Sequence, residues 1–150
     1  MSYRFSILIA APPVRVFDLF MDLDRMCEWV GGVTQVTDRT GPVDQVGTRY
    51  TVWFGRMPSP TEIVAVERPR HVRTRFGNLI LKGESDVRLE PEGGGTRLTQ
   101  EFHTRGVVSA IAARLFATGS YKGSFRGELE AFREIAEREE STAKPSPSPS

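Results

Sequence analysis

The chain has 150 residues, with 20 Lys+Arg against 19 Asp+Glu and 39% hydrophobic residues. That length suits one compact domain with a real core, and the near-neutral charge argues against a protein built around nucleic-acid phosphate. A single cysteine, Cys27, and two histidines exclude an internal disulfide framework and a multi-cysteine or His-rich metal centre.

In chain order, Tyr3, Phe5, Ile7 and Ile9 share one parity against Arg4 and Ser6, the alternation of a half-buried strand. Pro12-Pro13 ends it, and proline suits the first turn of a helix. Val14, Phe17, Phe20 and Met21 recur at helical spacing. A second short helix is expected over 24–29, stopped by Gly31-Gly32. Six strands follow, over 33–39, 47–55, 61–68, 71–76, 81–90 and 96–105. The expected turns are Thr40-Gly41-Pro42, Pro58-Ser59-Pro60, Pro69-Arg70, Gly77-Asn78 and Pro91 to Gly95. Short strands at this spacing make an antiparallel meander. From 107 to about 139 the pattern turns helical, with Ile111, Leu115, Thr118, Lys122, Phe125, Leu129, Phe132 and Ala136 three or four apart.

No run of apolar residues is long enough to span a membrane, and the N-terminus reads as a strand, not a signal peptide. A cytoplasmic protein is the expectation. The domain is expected over 1–139. Over 140–150 the alternating Pro and Ser can neither bury a face nor form a ladder, and this stretch reads as a disordered tail.

Several stretches carry a family likeness. They are Ile9-Ala10-Ala11-Pro12-Pro13-Val14-Arg15-Val16-Phe17, the pair Asp22 and Trp29, and Gly41-Pro42 through Val46-Gly47-Thr48-Arg49. Val66-Glu67-Arg68-Pro69-Arg70 and Leu89-Glu90-Pro91 with Gly94-Gly95-Thr96-Arg97-Leu98 complete the set. Their order resembles the START/Bet v 1-like superfamily (SRPBCC), in its polyketide cyclase/dehydrase branch. The resemblance covers about residues 2–138. It implies an α+β helix-grip fold: a curved antiparallel sheet of about seven strands wrapped around a long C-terminal helix, with two short helices after the first strand. It further implies a deep apolar cavity between sheet and helix. Members bind lipids, sterols or polyketides there, and some catalyse cyclisation, aromatisation or dehydration. These motifs are mainly turns, so they specify fold better than function.

Strand parity gives the inward faces as Tyr50, Val52 and Phe54; Val72, Thr74 and Phe76; Ser85, Val87 and Leu89; and Leu98, Gln100, Phe102 and Thr104. Such a lining, apolar with a few neutral hydrogen-bonding groups, suits a small-molecule pocket. The expected apolar contacts are Trp29, Tyr50, Phe54, Phe76, Phe102, Leu115 and Phe125. Thr74, Ser85 and Gln100 are expected to orient polar ligand atoms. The lining holds no obvious acid/base pair. Tyr50, Glu62 and Tyr121 are the candidates for moving protons. Glu62 qualifies only if the strand over 61–68 turns Glu62, Val64 and Val66 inward, and both of its parities are apolar. Arg68 is a loose counterpart of the cavity arginine of aromatase/cyclase members and is expected to face water. Lys122 interrupts the helix stripe and reads as snorkelling at the cavity rim.

The remaining features have bland readings. His103 has outward parity, and His71 sits at a turn. Arg73 and Arg75 belong to a solvated outer face. Asp22 and Asp24 read as helix-start caps, and Cys27 as a small buried apolar group. No metal site and no cofactor are indicated. The leading reading is a protein that binds a hydrophobic or aromatic small molecule, with no nucleic-acid partner and no oligomeric state specified. A polyketide cyclase/dehydratase-type enzyme without metal is the alternative, and a non-catalytic protein-interaction module is the third.

Overall fold

A computed structural model describes residues 2–77, 82–105 and 121–143, without the side chains of Arg105 and of 121–126. The elements are β1 (Ser2–Ile9), α1 (Pro13–Phe20), a 3-10 helix (Leu23–Glu28), β2 (Val33–Thr37), β3 (Arg49–Phe54), β4 (Met57–Glu67), β5 (His71–Gly77), β6 (Lys82–Glu92), β7 (Gly95–Arg105) and α2 (Tyr121–Ala143). The strands form one antiparallel sheet in the order β1-β7-β6-β5-β4-β3-β2. This is the helix-grip α+β architecture, an open seven-stranded sheet with short helices after β1 and a long C-terminal helix.

Alternation assigns the two faces. The inner face carries Ile7 and Ile9 of β1, Ile63 of β4, Val72 of β5, Val87 and Leu89 of β6 and Leu98 of β7. These join Phe17 of α1 and Leu129, Phe132, Ile135 and Ala136 of α2 in one hydrophobic core. An aromatic cluster ties the helices together. The Phe132 ring lies 5.0 Å from Trp29 and 5.6 Å from Phe20, both edge-on, a geometry that aromatic rings favour. The outer face takes the charges. Arg49, Glu62, Arg75, Glu84 and His103 follow one another across five strands in a single row. In the next row Asp86 is buried beneath Arg73, at 2.8 Å, and His71, at 3.1 Å.

Several expectations are corrected. Pro58 and Pro60 lie within β4, not in a turn; the turn falls at Gly55, whose φ of 66° suits glycine. Among the described residues β5 pairs with β4 only from Thr61 onward, and residues 57–60 are paired with β3 alone. Proline is tolerated at such an edge. The hairpin between β6 and β7 is also tighter than expected. Glu92 pairs with Gly95, and Gly93 and Gly94 (φ 57° and 82°) make a two-residue turn. Cys27 is exposed, because the 3-10 helix turns it away from the core. Asp22 stands at the N-cap of that helix but makes no capping bond with its side chain. Helix α2 runs past 139 to Ala143, and Glu140 is buried and paired with Arg15 at 2.9 Å. The Pro/Ser stretch beyond Ala143 lies outside the described residues, as do 106–120.

Candidate functional site

The inner face grades from packed to open along the strands. Beside α1 and the C-terminal half of α2, Ile7, Leu98, Leu89, Val87, Val72 and Ile63 belong to the core and its margin. Toward the other end Tyr3, Phe54, Thr74, Phe76, Phe102 and Thr104 are only half-buried. Phe76 and Phe102 meet edge-on at 6.4 Å between ring centroids.

Three neutral polar side chains lie among them. Thr74 and Ser85 are directly paired across β5 and β6. Gln100 on β7 donates Nε2–H to Ser85 Oγ at 3.2 Å, and both are buried. All three have inner-face parity and lie on adjacent strands. Tyr50 also has that parity and is 5% exposed. Burial raises its phenol well above the ordinary value, so it stays protonated and suits hydrogen-bond donation over base chemistry. The phenol has no hydrogen-bond partner among the described residues.

Glu62 is not brought to this face. It pairs in register with Arg49 and Arg75 on the outer face. A register shift between Ile63 and Ala65 is the cause. Thr61 and Ile63 point inward before the bulge and Val66 after it, so a strand apolar on both parities keeps its carboxylate outside. Trp29 is buried against Phe20 and Phe132, so its ring is part of the core. Leu115 and the side chains of Tyr121, Lys122 and Phe125 lie outside the described residues.

Sequence reasoning missed Glu128. On α2, Glu128, Phe132, Ile135 and Glu139 are spaced i, i+4, i+7 and i+11, so they share one face. The segment 25–31 runs antiparallel along that face, with Arg25 at Glu139, Trp29 at Phe132 and Gly31 at Glu128. The two polar ends of this contact are about 16 Å apart on the helix. At one end Arg25 donates to Glu139 at 2.8 Å and to Glu28 at 2.7 Å. At the other the Gly31 N–H donates to Glu128 Oε1 at 3.0 Å. Burial pushes the Glu128 carboxyl up to about 7, against the lowering effect of the Gly31 N–H. The available signal was a carboxylate one residue from the apolar stripe and one turn before Phe132.

A separate cleft of about 600 Å³, open to solvent, is lined by Phe17, Asp18, residues 39–44 and Arg68. Arg68 faces it and is held by two hydrogen bonds to Asp18, at 2.9 and 2.7 Å. The cleft shares no residue with the inner-face candidates. Among the described residues no cluster of three or more His, Cys, Asp or Glu is placed to hold a metal ion, and no helix is long and apolar enough to cross a membrane.

Among solved structures, protein MLL2253 from Mesorhizobium loti superposes with a TM-score of 0.74 at 16% identity, over 92% of this chain and 98% of that one. Ara h 8.0201 gives 0.64 at 16% identity, over 91% and 97%. DynU16, from the dynemicin biosynthetic locus, gives 0.69 at 18% identity, over 93% of this chain and 48% of that one. At these identities the likeness is one of fold. No curated protein matches the sequence. Residues 2–137 match the family described as polyketide cyclase / dehydrase and lipid transport. With nearly the whole chain matched, the protein belongs to the polyketide cyclase/dehydrase and lipid-transport family.

Proposed function

We propose that the protein binds a hydrophobic or aromatic small molecule between the inner face of the sheet and the C-terminal helix. The observation that carries this reading is the segregation of side chains across the sheet. The described ionic groups of β3 to β7 occupy the outer face, while the inner face offers half-buried Phe54, Phe76 and Phe102 around the neutral trio Thr74, Ser85 and Gln100. An apolar wall with a few convergent polar groups is the usual composition of a small-molecule site. Native mass spectrometry after gentle purification is the test. A co-purifying apolar molecule of defined mass is expected. Bare protein that also fails to take up a neutral aromatic probe would reject the reading.

One observation favours a second reading, an enzyme of the cyclase/dehydratase type. The Tyr50 phenol is buried on the same face, is held protonated by that burial and has no hydrogen-bond partner among the described residues, and it can donate a proton-sharing bond to a polyketide carbonyl. Under this reading Tyr50→Phe lowers turnover of a β-polyketone surrogate and leaves its binding intact. Unchanged turnover would remove Tyr50 from the chemistry.

A further inference from the structure

We propose that the cleft between α1, the β2–β3 loop and the β4–β5 turn is a second binding site, one that takes a small amphoteric molecule. Arg39 and Arg68 receive its carboxylate, Asp44 its ammonium, and Phe17 and Val43 its apolar body. Free amino acids with apolar side chains have this chemistry. The cleft shares no residue with the inner-face site, so the two readings stand or fall separately.

Three segments remote in sequence wall a space of about 600 Å³. Helix α1 supplies buried Phe17 and exposed Asp18. The β2–β3 loop is pinned by its own hydrogen bonds. Thr40 donates its N–H to Arg49 O and accepts the Arg49 N–H on Oγ1, both at 2.9 Å. Thr48 donates its hydroxyl to Pro42 O at 2.7 Å, and half-buried Val43 packs against the hydrophobic core. The β4–β5 turn is tied to β6, where the Leu89 N–H donates to Arg70 O at 2.8 Å. The walls are therefore positioned before a ligand arrives, which reduces the ordering cost of binding.

The four charges of the cleft are unequally spent. Asp18 accepts from Arg68 Nε at 2.9 Å and from Nη2 at 2.7 Å. The N–H groups of Nη1 remain for a second acceptor. Arg39 and Asp44 line the same space, and their side chains make no hydrogen bond or ion pair among the described residues. Asp44 stands near enough to Arg68 to reinforce its charge. An anion would gain from the arginines but meet Asp44. A cation would gain from Asp44 but meet the arginines. A molecule bearing both charges sets each against its opposite, and the apolar floor takes the rest of it.

The test is an amide NMR titration of the full chain at neutral pH and low ionic strength with L-phenylalanine, 3-phenylpropanoate and 2-phenylethylamine. These share an aromatic body and carry both charges, the carboxylate alone and the ammonium alone. Phenylalanine is expected to shift the amides of residues 39–44 and Arg68 saturably and to bind about two- to fivefold more tightly than either singly charged analogue. Arg39→Gln should weaken phenylalanine and phenylpropanoate but not phenylethylamine. Asp44→Asn should weaken phenylalanine and phenylethylamine but not phenylpropanoate. Both side chains are exposed, so neither variant disturbs the fold. Absence of saturable shifts at the cleft, or variants that treat the three ligands alike, would overturn the proposal. Phenylalanine that leaves the cleft unmoved and displaces the neutral aromatic probe N-phenyl-1-naphthylamine from the inner face would overturn it too, while leaving the inner-face reading in place.

Discussion

The backbone N–H of Gly31 donates to Glu128 Oε1 at 3.0 Å, joining the end of the 3-10 segment to the C-terminal helix across 97 residues of sequence. The bond holds a carboxyl that burial raises to about 7, above the ordinary value of 4.5. A carboxyl raised on folding favours the fold while protonated and opposes it once ionised. Stability linked to Glu128 is therefore full below about 4.5 and lost as pH rises through about 7. The whole shift corresponds to about 3 kcal/mol, which partial solvation reduces to about 1–2 kcal/mol. Urea denaturation should find Glu128→Gln more stable than wild type by that amount above pH 7 and indistinguishable below 4.5. A variant less stable at high pH would contradict the assignment.

Phe132 is fully buried and meets both Phe20 and Trp29. Phe132→Ala should cost about 3–5 kcal/mol in denaturant unfolding. A loss below 1 kcal/mol would mean that α2 does not seat on the aromatic cluster as described.

Asp86 tests the outer face. Burial alone would raise its carboxyl, but hydrogen bonds from His71 and Arg73 outweigh burial and hold it below the ordinary carboxylate range. A carboxyl lowered on folding stabilises above its unfolded value, 3.8, and the contribution is lost as pH falls through the lower folded value. Asp86→Ala should cost about 1–3 kcal/mol at neutral pH and less in strong acid. An equal loss at both would separate Asp86 from the His71–Arg73 network.

Gln100 donates to Ser85 within the neutral trio of the inner face. Gln100→Leu should leave binding of a neutral apolar fluorophore intact and weaken ligands bearing a carbonyl by about three- to tenfold, the worth of one hydrogen bond. Equal effects on both ligand types, checked by competition titration, would remove Gln100 from polar recognition.

Much of the fold is legible because its signals are local. β3, β5, β6 and β7 alternate cleanly, and the inward faces read from parity are those observed. β4 is illegible in parity because its bulge at Ile63–Ala65 switches the pattern midway, which is how Glu62 became a candidate acid. Pro58 and Pro60 resemble turn residues because the sequence does not reveal that they pair with β3 along a strand, the turn falling earlier at Gly55. Glu128 is illegible for a different reason. Helical spacing gives the apolar stripe, but only the docking of Gly31 turns an adjacent carboxylate into a desolvated one.

The most direct test of the central claim is titration of the wild-type protein with N-phenyl-1-naphthylamine, followed by backbone and side-chain NMR. The account predicts saturable one-to-one binding, with shifts concentrated at Phe54, Thr74, Phe76, Ser85, Gln100 and Phe102. Absence of saturable binding, or shifts confined to the cleft of Arg39, Asp44 and Arg68, would contradict it.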